Sequence, residues 1–290
     1  MELADKSIDP ASQQMLEKAK AEGISTSFDR VEAMKPCPIG REGMCCKHCF
    51  MGPCRMVGKN KEEMVGICGA TAATIAARGV ARWVAAGAAA HSDHGRDLAF
   101  TLLATGRGEA HGFKIKDVNK LLKVAKIMDI PVDGKTTEQI AESVALKALE
   151  DWGRQNGELN YVKRAPKKRQ DLWKKYGITP RGIDREIVET LHRTGMGVDQ
   201  DPESILMNAL KTSMTDGWGG AMLATDISDI LFGTPAPVKA RVNLGVLKSD
   251  EVNILVHGHE PTLSMMIVEA SEDPEILAYA KSKGANGINL

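Results

Sequence analysis

Apolar residues recur at helical spacing over most of this 290-residue chain. A helix is predicted to begin with Asp9 as its cap and Pro10 in its first turn, and to stop at Gly23. A second short helix is predicted through Phe28 and Val31. Both precede a cysteine-rich stretch that is expected to form loops.

After the cysteines, the stretch GATAATIAARGVARWVAAGAAAHSDHGRDLAFTLLA predicts one or two long buried helices whose small side chains allow close packing. Amphipathic helices with capping residues at their starts are predicted in DVNKLLKVAKIM, TTEQIAESVALKALEDW, DREIVETLHRT and DPESILMNALKTSM. Residues 1–248 are therefore predicted to form a mainly helical domain.

The pattern changes near residue 250. EVNILVH is a compact β-branched run, followed by a turn at Gly258 and Pro261, the helical stretch SMMIVEASEDPEILAYAKSKG and the short GINL. This order predicts one strand–helix–strand unit over residues 249–290. Because two parallel strands need further partners, we expect the chain to be a fragment or to be completed by another polypeptide.

All six cysteines lie within 32 residues. Four of them have the spacing C-x2-C-x4-C-x13-C: Cys46, Cys49, Cys54 and Cys68. Four thiolates suffice for one cubane iron–sulfur cluster. The remaining pair, Cys37 and Cys45, supplies half the ligands of another four-iron cluster, which a second copy of the chain would complete across a twofold axis. The cysteine count therefore predicts an electron-transfer protein that dimerises through a shared cluster.

Disulfide bonds and zinc binding are the two other uses that the cysteines could have. Disulfide frameworks are typical of short secreted chains, whereas this chain is long and has no hydrophobic segment at its start. Zinc competes better, because tetrahedral thiolate sites also use C-x2-C units. Three ligands within nine residues favour a cubane loop, as do the nearby glycines, which let backbone N–H groups turn toward sulfide: Gly40, Gly43, Gly52 and Gly66. A zinc-stabilised helical domain without a redox role stays an alternative.

Charge and hydropathy exclude two classes of partner. Lysine plus arginine and aspartate plus glutamate number 38 each, so nothing indicates binding to nucleic acid. The apolar stretches are too interrupted to span a bilayer. Reduced thiols and the lack of a targeting segment predict a cytoplasmic protein in an anaerobic setting.

The cysteine loops resemble the amino-terminal part of the catalytic subunit of anaerobic nickel–iron carbon monoxide dehydrogenases. The similarity rests on KPCPIGREGMCCKHCFMGPCRM, GICGATA, AAGAAAHSDHG, DILFGTPAP, NLGVLK and VHGHEP, which occur in family order over essentially the whole chain. The related hybrid-cluster proteins share an amino-terminal cluster, but lack the paired bridging cysteines in this form and the V-H-G-H-x-P sequence. The resemblance is therefore specific to the dehydrogenases.

The resemblance implies that Cys46, Cys49, Cys54 and Cys68 hold a [4Fe–4S] cluster within the subunit, and that Cys37 and Cys45 hold a cluster bridging two subunits. Members convert carbon monoxide and water to carbon dioxide, two protons and two electrons at a nickel–iron–sulfur cluster. The electrons pass through the [4Fe–4S] clusters to a ferredoxin-like acceptor. The family fold is a helical domain followed by Rossmann-like domains, so residues 249–290 would begin the first of these and leave it incomplete.

One active-site ligand of the family falls inside this chain. The resemblance implies that His259 binds an iron of the nickel–iron–sulfur cluster, with His257 as the second choice. Without the resemblance, a lone histidine at a strand end is more typical of a hydrogen-bonded core residue. The other ligands are cysteines that the family carries beyond residue 290, so we expect this chain to be inactive alone. The alternative is a stand-alone dimeric iron–sulfur electron carrier that lacks the catalytic half.

His91 and His94 lie three residues apart on one predicted helix. In the family this face carries histidines proposed to conduct protons, but the next two positions here are Asp97 and Phe100. An aspartate can relay a proton through water, whereas phenylalanine cannot. The relay is therefore expected to be weakened or rerouted, and local hydrogen bonding is the competing explanation for both histidines.

Basic side chains also lie close to the cysteines in the sequence. Lys47, His48 and Arg55 are predicted either to place positive charge beside the sulfurs, which raises a reduction potential, or to form a solvated rim.

Overall fold

A computed structural model of the chain describes residues 2–60, 63–237, 247–256 and 261–290, with the backbone alone at 261 and 262. These residues divide into two compact units. The first takes residues 1–90, 154–158 and 167–216, and the second takes residues 91–153, 159–166 and 217–290. Within the described ranges, no helix is long and apolar enough to cross a membrane.

The first unit contains the cysteine loops. Its elements in chain order are α1 (Leu3–Lys6), α2 (Pro10–Ala21), α3 (Ser27–Met34), α4 (Pro38–Arg41), β1 (Cys45–Cys46), β2 (Cys54–Arg55), the part of α5 (Ala72–Gly106) up to residue 90, α8 (Lys167–Lys175), α9 (Ile183–Arg193) and α10 (Pro202–Thr215). Ala77 and Ala81 of α5 pack on Ile205 and Ala209 of α10, which fixes the helix that follows the cysteines.

The second unit contains the rest of α5 and the carboxyl-terminal elements. These are α6 (Val118–Ile127), α7 (Thr137–Gly153), a 3-10 turn (Asn160–Arg164), a π-helical turn (Asp216–Ala221), α11 (Met222–Phe232), β3 (Val252–Asn253), α12 (Pro261–Glu272), α13 (Pro274–Ser282) and β4 (Ile288–Asn289). Asp216, the first residue of the π-helical turn, belongs to the first unit. Buried Asp226 accepts hydrogen bonds from Tyr161 at 3.0 Å and Lys120 at 3.1 Å, and pairs with Arg164. This polar network joins α6, the 3-10 turn and α11.

Most predicted helices are confirmed, and the described chain is mainly helical. Asp9 caps α2, where its carboxylate accepts a hydrogen bond from the Ser12 amide, and Pro10 is the first residue of the helix. The long alanine-rich stretch forms one helix, α5, rather than two. Two helices were not predicted from the sequence: α8, whose buried face consists of Trp173 alone, and α11 with the π-helical turn before it.

The predicted strand–helix–strand order after residue 250 is also present. β3 and β4 pair in parallel, with Val252 opposite Ile288. The stretch predicted as one helix forms two, α12 and α13, because Asp273 caps a new helix that begins at Pro274. A domain boundary near residue 248 stays a prediction, and residues 238–246 before it lie outside the described residues.

Gly95 lies at a close helix contact of α5. A methyl group at Gly95 would lie 2.9 Å from the Gly220 carbonyl oxygen and 3.1 Å from the Cβ of Ala224. Gly87, on the same helix, has no atom within 4 Å of the corresponding position. Alanine substitutions at these two glycines therefore separate the effect of a packing clash from the effect of helix propensity.

Gly95→Ala is expected to destabilise the chain by about 1–3 kcal/mol, because the added methyl overpacks a backbone contact. Gly87→Ala is the matched control and should stabilise it by up to about 1 kcal/mol through helix propensity. The measurement is urea unfolding followed by circular dichroism. Equal effects of the two substitutions would contradict the close approach at Gly95.

A buried ionic network connects α9 with the segment before it. Glu186 is fully buried and accepts two hydrogen bonds from the Arg181 guanidinium at 2.8 Å, one to each carboxylate oxygen. Lys211 of α10 lies 3.3 Å from the same carboxylate. Burial opposes ionisation of Glu186, but the hydrogen bonds from Arg181 and the charge of Lys211 outweigh it, and its pKa is lowered.

This shift predicts acid sensitivity. Because the pKa of Glu186 is lower in the folded state, its stabilisation is complete above the usual value of 4.5 and is lost as the pH falls through the folded pKa. Glu186→Gln should therefore flatten the decrease of the unfolding free energy between neutral and acidic pH. Urea midpoints measured across that range test this, with exposed Glu150→Gln as the control. An unchanged slope in Glu186→Gln would refute it.

Candidate metal centre

The cysteine loops are organised by a small antiparallel hairpin. β1 pairs with β2, which places Cys46 opposite Cys54 and Cys45 opposite Arg55. The chain then returns through a turn in which the Gly66 amide donates to the Ala70 carbonyl at 2.8 Å. These backbone hydrogen bonds bring the loop segments together before α5 begins.

A local apolar core supports the hairpin. Cys46, Met56, Ala70 and Ile75 are buried against one another. Partly buried side chains pack around them: Met44, Cys54, Met64, Cys68 and Ala72. Three of the four cysteines in the C-x2-C-x4-C-x13-C pattern, Cys46, Cys54 and Cys68, therefore belong to the packed part of the loops. This packing limits how far their thiols can move.

All four cysteines of that pattern line one cavity, here called the cysteine cavity. None of the six cysteines forms a disulfide. The other lining residues are His48, Gly66, Ile67, Ala70, Ile75, Arg78 and Met196. The structure thus brings together the thiols that the spacing predicted as one ligand set, and leaves Cys37 and Cys45 outside it.

Two glycines allow the backbone to pass close to the cysteine residues. A Cβ atom at Gly52 would lie 3.0 Å from both the Cys46 carbonyl oxygen and the Cys54 amide nitrogen. A Cβ atom at Gly66 would lie 3.4 Å from the Cys54 Sγ. The Ile67 amide donates to the same Sγ at 3.5 Å, a contact typical of the backbone around cluster sulfurs.

Cys68 has the most polar surroundings of the four. The Arg78 guanidinium donates to its Sγ at 3.5 Å, and the side-chain amide of Gln200 donates to its carbonyl oxygen at 2.8 Å. Burial raises the pKa of the Cys68 thiol, but hydrogen bonds from Arg78 and nearby groups outweigh it and lower that pKa to about 7. The site therefore favours a thiolate, the form in which cysteine binds metals.

Cys37 and Cys45 have different surroundings. Cys37 is exposed and caps the short α4, where the amides of Gly40 and Ile39, followed by the charges of Lys47 and Arg55, lower the pKa of its thiol. Cys45 is half-buried on β1. Because Cys37 is exposed, its thiol is accessible to a second chain.

The basic side chains near the loops separate into two groups. Lys47 and Arg55 are exposed. His48 lines the cysteine cavity, but burial and then the charges of Arg82 and Arg78 lower its pKa, which favours the neutral ring. The buried positive charge of the site is instead Arg78, which the sequence analysis did not select.

The predicted relay residues lie on α5 in the second unit. His91 and His94 are half-buried and each makes polar interactions, whereas Asp97 and Phe100 are exposed. Their role in proton transfer stays a prediction. His259 and the second choice, His257, lie outside the described residues.

The donor set of the cysteine cavity fits a polynuclear cluster. A cubane takes one thiolate per iron around a shared volume, so its ligands do not converge on a single point. In the described part of the chain, no three cysteine, histidine, aspartate or glutamate side chains are grouped tightly enough to hold one metal ion. Four free thiols around one space, with backbone N–H groups and a buried guanidinium facing them, match the needs of an anionic iron–sulfur cluster.

Comparison with known proteins decides the family. The model of the prismane/CO dehydrogenase family matches residues 44–290. This chain belongs to that family. The resemblance noted from the motifs is thereby confirmed, and the matched residues include the cysteines except Cys37, together with the segment after residue 250.

Curated family members align over nearly the whole chain. Carbon monoxide dehydrogenase 1 of Methanosarcina mazei is 54% identical over 287 residues, which are 99% of this chain and 46% of that protein. Carbon monoxide dehydrogenase 2 of Carboxydothermus hydrogenoformans is 49% identical and covers 98% of this chain and 45% of its own length. This chain spans about half the length of the curated relatives it matches.

Solved structures have the same fold. The nickel-free, as-isolated carbon monoxide dehydrogenase from Thermococcus sp. AM4 superposes with a TM-score of 0.89 at 44% identity, covering all of this chain and 46% of that one. An acetyl-CoA synthase/carbon monoxide dehydrogenase, described with NiZn[Fe4S4] and NiNi[Fe4S4] clusters in its alpha subunits, gives a TM-score of 0.87 at 41% identity.

Proposed function

We propose that this chain is the cluster-bearing portion of an anaerobic carbon monoxide dehydrogenase. The complete enzyme would convert carbon monoxide and water to carbon dioxide, two protons and two electrons. One observation carries the proposal: four free thiols with cluster spacing line a single cavity next to a buried guanidinium. Family membership at 54% identity to a carbon monoxide dehydrogenase supports the reaction.

The residues of the cysteine cavity divide into ligands and supports. Cys46, Cys49, Cys54 and Cys68 would hold a [4Fe–4S] cluster, which supplies one-electron transfer when bound. The hairpin and its apolar core hold these thiols in place and exclude water from their inner side. The loops between residues 37 and 68 are in this proposal iron–sulfur loops.

The remaining assignments follow from the family resemblance. Cys37 and Cys45 would bind a cluster shared with a second copy in a homodimer, and a ferredoxin-like protein would take the electrons. His259 would bind iron of the nickel–iron–sulfur cluster in a complete subunit, while His91 and His94 would relay protons. We place residues 249–290 at the start of a Rossmann-like domain and the protein in the cytoplasm.

Native mass spectrometry of anaerobically purified protein tests the proposal, because it measures the oligomer and its metal together. A homodimer with two intrasubunit clusters and one shared cluster would carry about twelve irons and equal sulfide. Without further subunit residues, no carbon monoxide oxidation is expected from this chain, since its six cysteines are all assigned to the two electron-transfer sites.

Two outcomes would overturn parts of the proposal. A monomer with four irons would remove the shared cluster at Cys37 and Cys45 and leave an electron carrier. Zinc without sulfide would overturn the redox function of the cysteine cavity altogether.

A further inference from the structure

We propose that Arg78 is a positioning residue that sets the reduction potential of the cluster held by the cysteine cavity. The inference rests on the proposed function, because it requires the [4Fe–4S] cluster there. Arg78 lies on α5, ten residues after Cys68. It is a side chain of this chain to which neither the family motifs nor the cysteine spacing assigns a role.

Arg78 is 1% exposed, so its charge is inside the protein. One terminal nitrogen donates to the Cys68 Sγ at 3.5 Å, and the other donates to the Asp199 carbonyl oxygen at 2.8 Å. Its Nε is buried and has no hydrogen-bond partner. Across the described residues, no carboxylate forms an ion pair with Arg78.

A buried cation without a counter-ion is costly, because it has lost its hydration and gained no opposite charge. Among the residues that the structure describes, the acidic group in contact with the Arg78 guanidinium is the Cys68 thiol of the cysteine cavity. A cubane with four thiolates carries net negative charge, so it supplies the missing counter-ion. The structure therefore assigns the uncompensated charge of Arg78 to the cluster.

The position of Arg78 is fixed by a loop distant in sequence. Residues 196–200, here called the 196–200 loop, supply the Asp199 carbonyl to Arg78 and the Gln200 amide to the Cys68 carbonyl. The hydroxyl of Thr74, one turn before Arg78, donates to the Gln200 carbonyl at 2.7 Å. Because these contacts hold both the guanidinium and Cys68, the distance between charge and sulfur cannot relax freely.

This geometry affects the oxidised and reduced forms unequally. The relevant couple is the one-electron reduction of the [4Fe–4S]2+ form to the [4Fe–4S]+ form, in which thiolates and sulfides are retained and no proton is gained. Reduction adds one negative charge next to the guanidinium. The cation therefore stabilises the reduced form more and raises the potential.

The test is a dithionite titration of the anaerobically purified chain, monitored by electron paramagnetic resonance. All variants are made in the native sequence and also with Cys37→Ser, so that the signal of the cysteine cavity is separated from a shared cluster. Arg78→Gln and Arg78→Met remove the charge. Each should reduce the ratio of reduced to oxidised cluster at a fixed potential at least tenfold, which corresponds to about 59 mV for a one-electron couple.

Two variants serve as controls. Arg78→Lys keeps the charge and should remain within threefold of the original ratio. Arg185→Met removes a cation that pairs with Glu189 at 3.2 Å and does not line the cysteine cavity, so it should also leave the ratio nearly unchanged. A merely structural role for Arg78 would not distinguish lysine from glutamine in a loaded, folded protein.

The outcomes separate this inference from the proposed function. Iron and sulfide at the expected content with an unchanged ratio in Arg78→Gln would overturn the role of Arg78 and leave the cluster assignment intact. Loss of cluster in every Arg78 variant, but not in Arg185→Met, would make Arg78 an assembly residue and also overturn its role in setting the potential. Original protein without iron or sulfide would overturn both.

Discussion

Arg181→Met is expected to lower the free energy of unfolding by about 3–5 kcal/mol, because it leaves the buried carboxylate of Glu186 without its main partner. Arg181 donates three hydrogen bonds to Glu186, two from the guanidinium and one from the backbone amide at 3.0 Å. The backbone amide of residue 181 and the Lys211 ammonium would remain near this fully buried group, but both guanidinium hydrogen bonds would be lost. Urea unfolding monitored by circular dichroism gives the value.

A neighbouring ion pair provides the control. Arg185 pairs with Glu189 at 3.2 Å on the same helix, but the Arg185 side chain is 32% exposed. Arg185→Met should cost no more than about 1 kcal/mol, as expected for a solvent-screened pair. Similar losses of unfolding free energy in the two variants would show that the burial of Glu186 does not determine the effect of Arg181→Met.

Cys46→Ser is expected to remove the intrasubunit cluster completely, with a loss of about four irons per chain. Cys46 is 7% exposed and belongs to the local core, so no solvent molecule or alternative cysteine can readily replace its thiolate. A serine hydroxyl at this buried position is also a poor ligand at neutral pH. Iron and sulfide analysis with the optical spectrum of the purified variant measures the loss.

Cys37→Ser distinguishes the two predicted sites. Cys37 is exposed and does not line the cysteine cavity, so this variant should retain the intrasubunit cluster and lose only the shared one. Iron should fall by about four per dimer, and the dimer should weaken in native mass spectrometry. Loss of all iron in Cys37→Ser, or none in Cys46→Ser, would contradict the division of the cysteines.

The predictable part of the fold is the part governed by local sequence. Capping at Asp9 and the amphipathic stripes of α9 and α10 can be recognised without tertiary information, because their causes lie within a few residues. The helix α8 was missed since it is strongly basic and buries only Trp173. Tertiary packing, rather than an amphipathic pattern, determines that helix.

The grouping of Cys46, Cys49, Cys54 and Cys68 around one cavity was predictable for the same reason, since all six cysteines fall between residues 37 and 68. The residues that support the cavity were not predictable. The other buried residues of α5 are small or apolar, and an arginine among them is the one sequence feature that could have indicated Arg78. Gln200 and Met196 reach the site from more than 120 residues away, and no local pattern reveals such a contact.

The contacts of the 196–200 loop also have a consequence for the order of events during synthesis. Cys68 leaves the ribosome 132 residues before Gln200, an interval of roughly ten seconds at ordinary translation rates. Throughout that interval the nascent chain presents reduced thiols without the segment that later anchors Cys68 and Arg78. Iron that arrives at this stage would encounter the thiols without the 196–200 loop. Oxidants would have the same access to them. The thiols of the cysteine loops are therefore least protected before residue 200 has been synthesised.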